Sequence, residues 1–575
     1  MNDYNIKKLY EEMELELISS MKRNLKRHLK EENDVGFEFT QWQAEKLKEL
    51  KRYQRENKDI IGSYTNGLDK KVSEHLQNEL KQGSIDAIKQ YNKLHPDNTK
   101  KINKTLNKSF FQTNDRKVNA LIKVVNNDLE TANTSALRMV NDQYRQVIHK
   151  SAFFVGNGAM TEQQAIDMAN KDFLSRGINS IEYKDGKRVN IASYSQMAVR
   201  TASLRAHLMG EGDFRKSIGK TLVKVTTHGG ACKICTAWQG KVLVDDIYSG
   251  GKPDGKHQLL SEAMKQGFLH PNCRHGITTY YPELEDVLYE TDEQGLSDEE
   301  RNQLLYLERQ ERKTQRLNLG SIDDDNRNNY KKFNQVYKDK ERQIFIDKWK
   351  INNVFINDLD IDVIKEIDKS VSYNFDKYPE LKKQIKGIGS IQSRNKNKLD
   401  EIQNFYRNIL ELNNPNMNKE IIEKYSYIYA KKELPRAGKN IYAISQYSKT
   451  DVHKLNGIYI HNKYGGDYQK FIKCIERDVK LKWHPEGTGS IKGIIDHEIG
   501  HQLDSLLNLK NNSDIINLKK NLTRYEINNG LSRYANKNIV EFIAEAYSEY
   551  VNNENCRDIA MKVGKIIDKE YKKLF

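Results

Sequence analysis

The stretch GSIKGIIDHEIGHQLDSLLNL, residues 489–509, has the apolar spacing of a buried helix and carries His497, Glu498 and His501 in the order H-E-x-x-H. Residues four apart lie one turn apart on one helix face. Both imidazoles can therefore reach a single zinc ion at about 2.0–2.1 Å, with Glu498 beside the metal but not bound to it. A zinc ion with an open position brings the pKa of its bound water to about 7, and a neighbouring carboxylate can take that proton and pass it to a leaving amine. The pattern predicts peptide-bond hydrolysis. Gly500, next to His501, leaves room for another element to pack closely.

A third ligand is expected downstream, in Tyr534-Ala-Asn-Lys-Asn-Ile-Val-Glu541-Phe-Ile-Ala-Glu545-Ala-Tyr547. Glu541 and Glu545 are four apart in an otherwise apolar helix, where unpaired carboxylates are costly, and either can close a His2Glu site. The combination of H-E-x-G-H-x-x-D with a downstream Tyr and then E-F-x-A-E-A-aromatic resembles the catalytic domain of anthrax lethal-factor-type zincins, over about residues 440–560. The resemblance implies a zinc metalloendopeptidase with His497, His501 and Glu541 as ligands. It makes Glu498 the general base and Tyr534 the partner of the tetrahedral oxyanion, with Asp504 and Glu545 supporting the ligands from behind. NGIYIHNKY, Asn456–Tyr464, is expected from its position to be the edge strand on which an extended peptide lies.

Working outward, the 575 residues suffice for two to four domains, and no run reaches the roughly 18 apolar residues of a membrane span. The start, MNDYNIKKLYEEMELELISS, alternates charge with apolar residues, so a soluble chain without an export signal is expected. Five cysteines, three of them at Cys232, Cys235 and Cys273, argue against a disulfide framework. Cys232-x2-Cys235 followed by His270-Pro-Asn-Cys273-Arg-His275 is adequate for a structural zinc, a second metal besides the catalytic one. Packed thiols and hydrogen-bonded histidines are the other reading, and spacing leaves the ligands open among these five and His228.

The fold class expected is mostly α with small α+β parts. Leu9, Met13, Leu17, Met21 and then Leu68, Val72, Leu76, Leu80 mark amphipathic helices through about residue 94, and a second helical stretch runs over 114–150. Thr161 and Gln164 form a capping-box signal, and SIEY and RVNI flank a two-residue hairpin turn. Residues 221–281 read as a small α+β knot, 291–345 as a charged helical connector, and 346–575 as helices with strands at NIYAISQY and NGIYIHNKY.

THGGACKICTAWQGKV (227–242), FLHPNCRHGITTYYP (268–282), YSQMAVRTA (194–202) and the N-terminal LYEEMELELI resemble the phage minor capsid protein 2 family, related to Mu F-like head-morphogenesis proteins. The match covers about residues 1–290. It implies a low-copy virion component in the head interior or at the portal, made in the bacterial cytoplasm, with portal and capsid proteins as partners. The family often carries a C-terminal effector, so delivery into a host cell and a host or virion protein as peptidase substrate are expected. A net charge of +15 suits proximity to packaged DNA. The alternative is a purely structural assembly protein whose C-terminal domain binds metal without catalysis.

Overall fold

The computed structural model describes residues 3–35, 39–94, 115–156, 161–183, 185–227, 231–271, 273, 275–282, 297–435, 438, 440–553 and 556–575. The chain divides into two compact units, Met1–Glu293 with Leu305–Tyr337, and Gln294–Leu304 with Lys338–Phe575. As the hydrophobic periodicity requires, helices dominate both.

Unit 1 opens with α1 (Asp3–Val35), α2 (Phe39–Thr65), α3 (Leu68–Leu94), α4 (Asp115–Gly156) and α5 (Glu162–Arg176), the last started by the Thr161–Gln164 capping box. A hairpin, β1 (Ile181–Glu182) and β2 (Arg188–Val189), leads to α6 (Ile191–Ser217). The three- and four-residue spacing puts Met13, Leu17 and Met21 of α1 in one core with Leu68, Val72, Leu76 and Leu80 of α3. Glycine sets the distance between α3 and α6. A Cβ on Gly83 would lie 2.0 Å from the His207 carbonyl oxygen, and one on Gly210 1.9 Å from that of Leu80.

The small knot is a four-stranded sheet of β3 (Leu222–Val225), β4 (Val242–Val244), β5 (Gln258–Leu259) and β6 (Ile277–Thr279), in the order β5-β4-β3-β6. One-turn α7 (Lys233–Thr236) joins β3 to β4, and α8 (Leu260–Lys265) follows β5. The sheet is tied to α6 by fully buried Arg215, whose Nη2 lies 3.0 Å from Asp245 Oδ2 and whose Nη1 lies 3.1 Å from Glu211.

The charged stretch forms α9 (Asp298–Gly320) and α10 (Asp324–Trp349). Its middle is part of unit 1 and not a passive connector. Arg316 donates to Glu14 and to the carbonyls of Leu174 and Ser175, Asp167 accepts the Ile322 amide at 2.7 Å, and Leu317 and Ile322 enter the core.

Unit 2 contains β7 (Asn353–Phe355), α11 (Ile361–Lys377), α12 (Leu381–Gln384), β8 (Gly387–Ser390), α13 (Ile391–Asn413), α14 (Lys419–Glu433), β9 (Ala443–Gln446) and β10 (Gly457–Ile460). There follow α15 (Asn462–Gly465), α16 (Tyr468–Lys480), α17 (Ile491–Leu507), α18 (Ser513–Lys520), α19 (Arg524–Gly530), α20 (Ile539–Asn552) and α21 (Asp558–Leu574). The sheet order is β7-β8-β10-β9, with only β9 antiparallel to its neighbour. This corrects the expectation for Asn456–Tyr464: its strand, β10, is interior, buried along its length and bonded on both edges, and the edge strand beside the helix of the H-E-x-x-H motif is β9. Gln502 fixes α17 to that edge, donating to Ser445 Oγ at 2.7 Å and to the Gln446 carbonyl at 2.9 Å.

Two outcomes follow for unit 1. Gly210→Ala should cost about 1–3 kcal/mol by overpacking, whereas Gly62→Ala, at an exposed position of α2 where an added Cβ meets nothing within 4 Å, should stabilise by roughly 0.5–1 kcal/mol; denaturant titration separates the two. His207 is flanked by Glu211 and Glu79, whose contacts raise its pKa to about 10. A pKa raised on folding gives stability that is complete below about pH 6.5 and lost as pH rises towards 10. Melting temperature measured across that window should fall in the wild type, and less steeply in His207→Gln.

Candidate metal centre

α17 is started by Ser490, whose Oγ accepts the Gly493 amide at 3.0 Å, and it is buried over nearly its whole length. Its polar residues are placed by partners on other elements. Asp496, fully buried, accepts from Ser370 Oγ (2.5 Å), Asn374 Nδ2 (2.7 Å), Lys492 Nζ (2.6 Å) and Asn552 Nδ2 (2.8 Å), which fixes the rotation of the helix against α11 and α20. Gly500 fixes its distance from α20, since a Cβ there would lie 2.8 Å from Ala544 Cα.

With α17 and α20 held in this way, His497, His501 and Glu541 come together. Glu541 Oε2 lies 3.3 Å from Nε2 of both histidines. That oxygen is buried and has no aligned hydrogen bond to either ring. An edge of about 3.3 Å is what a tetrahedral centre with ligand bonds of about 2.0–2.1 Å requires. Two imidazoles and a carboxylate converging at that spacing fit a zinc ion. The donors' protonation states are coupled: burial alone would lower the pKa of His497, but Glu541 and Glu545 raise it to about 10. Burial likewise opposes the charge on Glu541, yet the two histidines hold its carboxyl far below the usual range.

Glu545 is not in the converging trio. Its Oε1 lies 2.8 Å from His497 Nδ1 and 3.0 Å from His484 Nδ1, and its Oε2 accepts from Ser532 Oγ at 2.7 Å. Burial pushes its carboxyl up, and the two imidazoles overcome this and bring it to about 2. A carboxylate on the far nitrogen of a histidine fixes the ring's tautomer and orientation. Asp504 Oδ1 accepts the Lys510 amide at 2.5 Å beyond the end of α17, and its carboxyl also interacts electrostatically with His501.

Glu498 and Tyr534 line a cleft of about 620 Å³ together with Ile441, Tyr442, Tyr464, Trp483, His484 and His497. Burial raises the pKa of Glu498. Lys537 Nζ bridges Tyr534 Oη at 3.0 Å and Glu541 Oε1 at 3.2 Å. Sequence reasoning missed His484, Ser532 and Lys537. Lys537 stood inside the quoted motif, four residues before Glu541 and so within reach of it, whereas nothing in the spacing of His484 or Ser532 ties them to Glu545.

In the knot, Cys232, Cys235 and His270 form one group with metal-binding spacing, and Cys235, Cys273 and His275 form another. Cys232 is exposed and its pKa is lowered to about 7, chiefly by the Cys235 backbone N–H, while burial pushes Cys235 up to about 12. His228 lies outside the described residues.

Residues 3–347 match the family model of phage minor capsid protein 2, a span that passes residue 290 and takes in the charged stretch. A protein described as "Structural protein", from Lactococcus phage LL-H, is 26% identical over 148 residues, 25% of this chain and 39% of the relative. The chain thus covers well under half of that relative's length. No solved structure matches.

Gly500→Ala should force α17 and α20 apart, costing about 1–3 kcal/mol in unit 2. The measurement is the denaturation midpoint of the full chain, followed by a probe in unit 2 such as Trp483 fluorescence; an unchanged midpoint would mean that the helices have slack at this crossing.

Proposed function

The chain belongs to the phage minor capsid protein 2 family, and on that premise we propose that it is a virion protein of two parts, a head-assembly unit and a C-terminal zinc peptidase. The first part associates with portal and capsid proteins in the head, where the net charge of +15 suits a position near packaged DNA. The second hydrolyses peptide bonds in a host or virion protein. The observation that carries the enzymatic reading is the convergence of His497, His501 and Glu541 beside a cleft that also holds Glu498 and Tyr534.

Bound by that trio, zinc would supply Lewis acidity, polarising a carbonyl and acidifying water to a pKa of about 7. The protein's own groups do the rest. Glu498, buried with a raised pKa, accepts a proton from water and hands it to the leaving amine nitrogen. Tyr534 Oη, fixed by Lys537, donates to the oxygen that becomes negative. Glu545 keeps His497 oriented through Nδ1. β9, the last strand of its sheet among the described residues, would take an extended peptide along its outer edge, and Ile441, Tyr442 and Trp483 offer apolar contact to its side chains.

Two measurements test this. Mass spectrometry of purified particles should find the full chain in the virion, and its absence there would remove the assembly role. For the enzyme, wild type and Glu498→Gln should take up equal zinc at the C-terminal centre, while new protein N-termini appear in host or virion proteins with the wild type alone. Identical N-termini from both zinc-loaded proteins would favour a structural metal domain without catalysis. Because His497 carries a proton below a pKa of about 10, zinc uptake at pH 8 should also release acid, measurable in weakly buffered solution.

A further inference from the structure

We propose that the small sheet of unit 1 is organised by a structural zinc ion held by Cys232, Cys235, His270 and Cys273, independent of the C-terminal centre. Two turns present these residues at the same spacing. Cys232-x2-Cys235 opens α7, where the Cys235 amide donates to Cys232 Sγ at 3.4 Å. His270-x2-Cys273 follows α8, where the Cys273 amide donates to the His270 carbonyl at 2.9 Å. The first turn brings the ligand atoms of Cys232 and Cys235 within 4.8 Å of each other.

The distances across the two turns suit a shared cation. Cys232 Sγ lies 3.2 Å from His270 Nε2, and Cys235 Sγ lies 3.6 Å from Cys273 Sγ. A tetrahedral zinc with bonds of about 2.3 Å to sulfur and 2.0–2.1 Å to nitrogen has edges of roughly 3.8 Å between sulfurs and 3.5 Å between sulfur and nitrogen. The sulfur pair is far outside the roughly 2.05 Å of a disulfide. Cys235 belongs to both groups of potential ligands, with Cys232 and His270 in one and with Cys273 and His275 in the other, and so stands between the two turns.

The choice between the histidines rests on their outer nitrogens. His270 Nδ1 is 2.8 Å from the Pro271 carbonyl, which can only accept. The proton is therefore on Nδ1, and the Nε2 lone pair faces the Cys232 sulfur. That is the tautomer and outer contact of a metal-bound imidazole. His275 is buried, meets Phe268 edge-on, and points Nδ1 at Cys273 Sγ from 3.5 Å, where it can donate a hydrogen bond to the sulfur. Four protein ligands close the coordination sphere, so this ion would hold structure and do no chemistry. The strands of this sheet are two to four residues long, and the core cluster beneath it has thirteen buried residues among those described. Such a small core gains most from a metal.

The test is elemental analysis of the full chain after dialysis, in a His501→Ala background that removes the C-terminal centre. One zinc per chain should remain there, be lost on adding Cys273→Ser or His270→Ala, and survive His275→Ala. In the wild type three of the five thiols should resist a thiol reagent until a chelator is added. A folded His501→Ala chain without zinc and with all thiols reactive, or a Cys235–Cys273 disulfide found by mass spectrometry, would overturn the site. Loss of zinc in His275→Ala but not in His270→Ala would overturn the ligand set. If the C-terminal reading alone fails, the wild type still holds one zinc, and Cys273→Ser removes it.

Discussion

Much of unit 2 depends on how closely α17 can approach α20. Gly500 faces Ala544 at a separation that admits no side chain. A crossing that tight lets a carboxylate on one helix come within 3.3 Å of two imidazoles on the other. Distance alone is insufficient, since a helix turned about its axis would present the wrong face. Asp496 prevents that. An isolated buried carboxylate is very costly, so four donors from three helices are held to it, and Ser370, Asn374 and Asn552 meet it in only one rotation of α17.

Unit 1 uses the same two devices with different residues. Gly83 and Gly210 bring α3 and α6 into backbone contact, and a buried ion pair fixes what packs against them. Arg215 with Asp245 joins the small sheet to α6, and Arg316, by reaching Glu14 and two carbonyls, joins the charged helices to the first. In each case a guanidinium is removed from water only because several acceptors replace it. Their removal is therefore a better probe of the fold than that of any exposed ion pair.

What could be read from the sequence was what depends on neighbours within one or two turns. The i, i+4 histidines, the Thr161–Gln164 cap and the helical core residues are of that kind, and the structure has each where local spacing puts it. Whether Glu541 or Glu545 faces the histidines was left open by spacing, because both lie on the same stripe of α20; their relation to α17 separates them, a distance between helices far apart in sequence. The edge strand was misplaced for a similar reason. β8, with Gly387 and Gly389 in a four-residue run, has no strand-like composition, yet β10 pairs with it at Gly457↔Gly387 and so becomes interior. The charged stretch misled because Arg312 and Arg316 have the composition of solvated residues, while the acidic partners that draw them in, Glu11 and Glu14, stand some 300 positions earlier.

The electrostatics of the candidate centre bear on what it is built to hold. With both histidines neutral, Glu541 and Glu545 would place two negative charges in a buried region where Lys537 is the nearby fixed cation. Burial raises the pKa of Glu498, and Glu541 and Glu545 raise that of His497 to about 10. A proton on His497 and a bound divalent cation would therefore compete for the same atoms. A dication would carry twice the charge and would be held by Glu541, His497 and His501 together, whereas a proton serves one ring only. A purely structural ion pair needs one imidazole for each carboxylate and nothing more. Here Glu545 Oε1 lies beside His497 Nδ1 while Glu541 Oε2 faces His497 and His501 together, an arrangement whose charge a bound dication would balance.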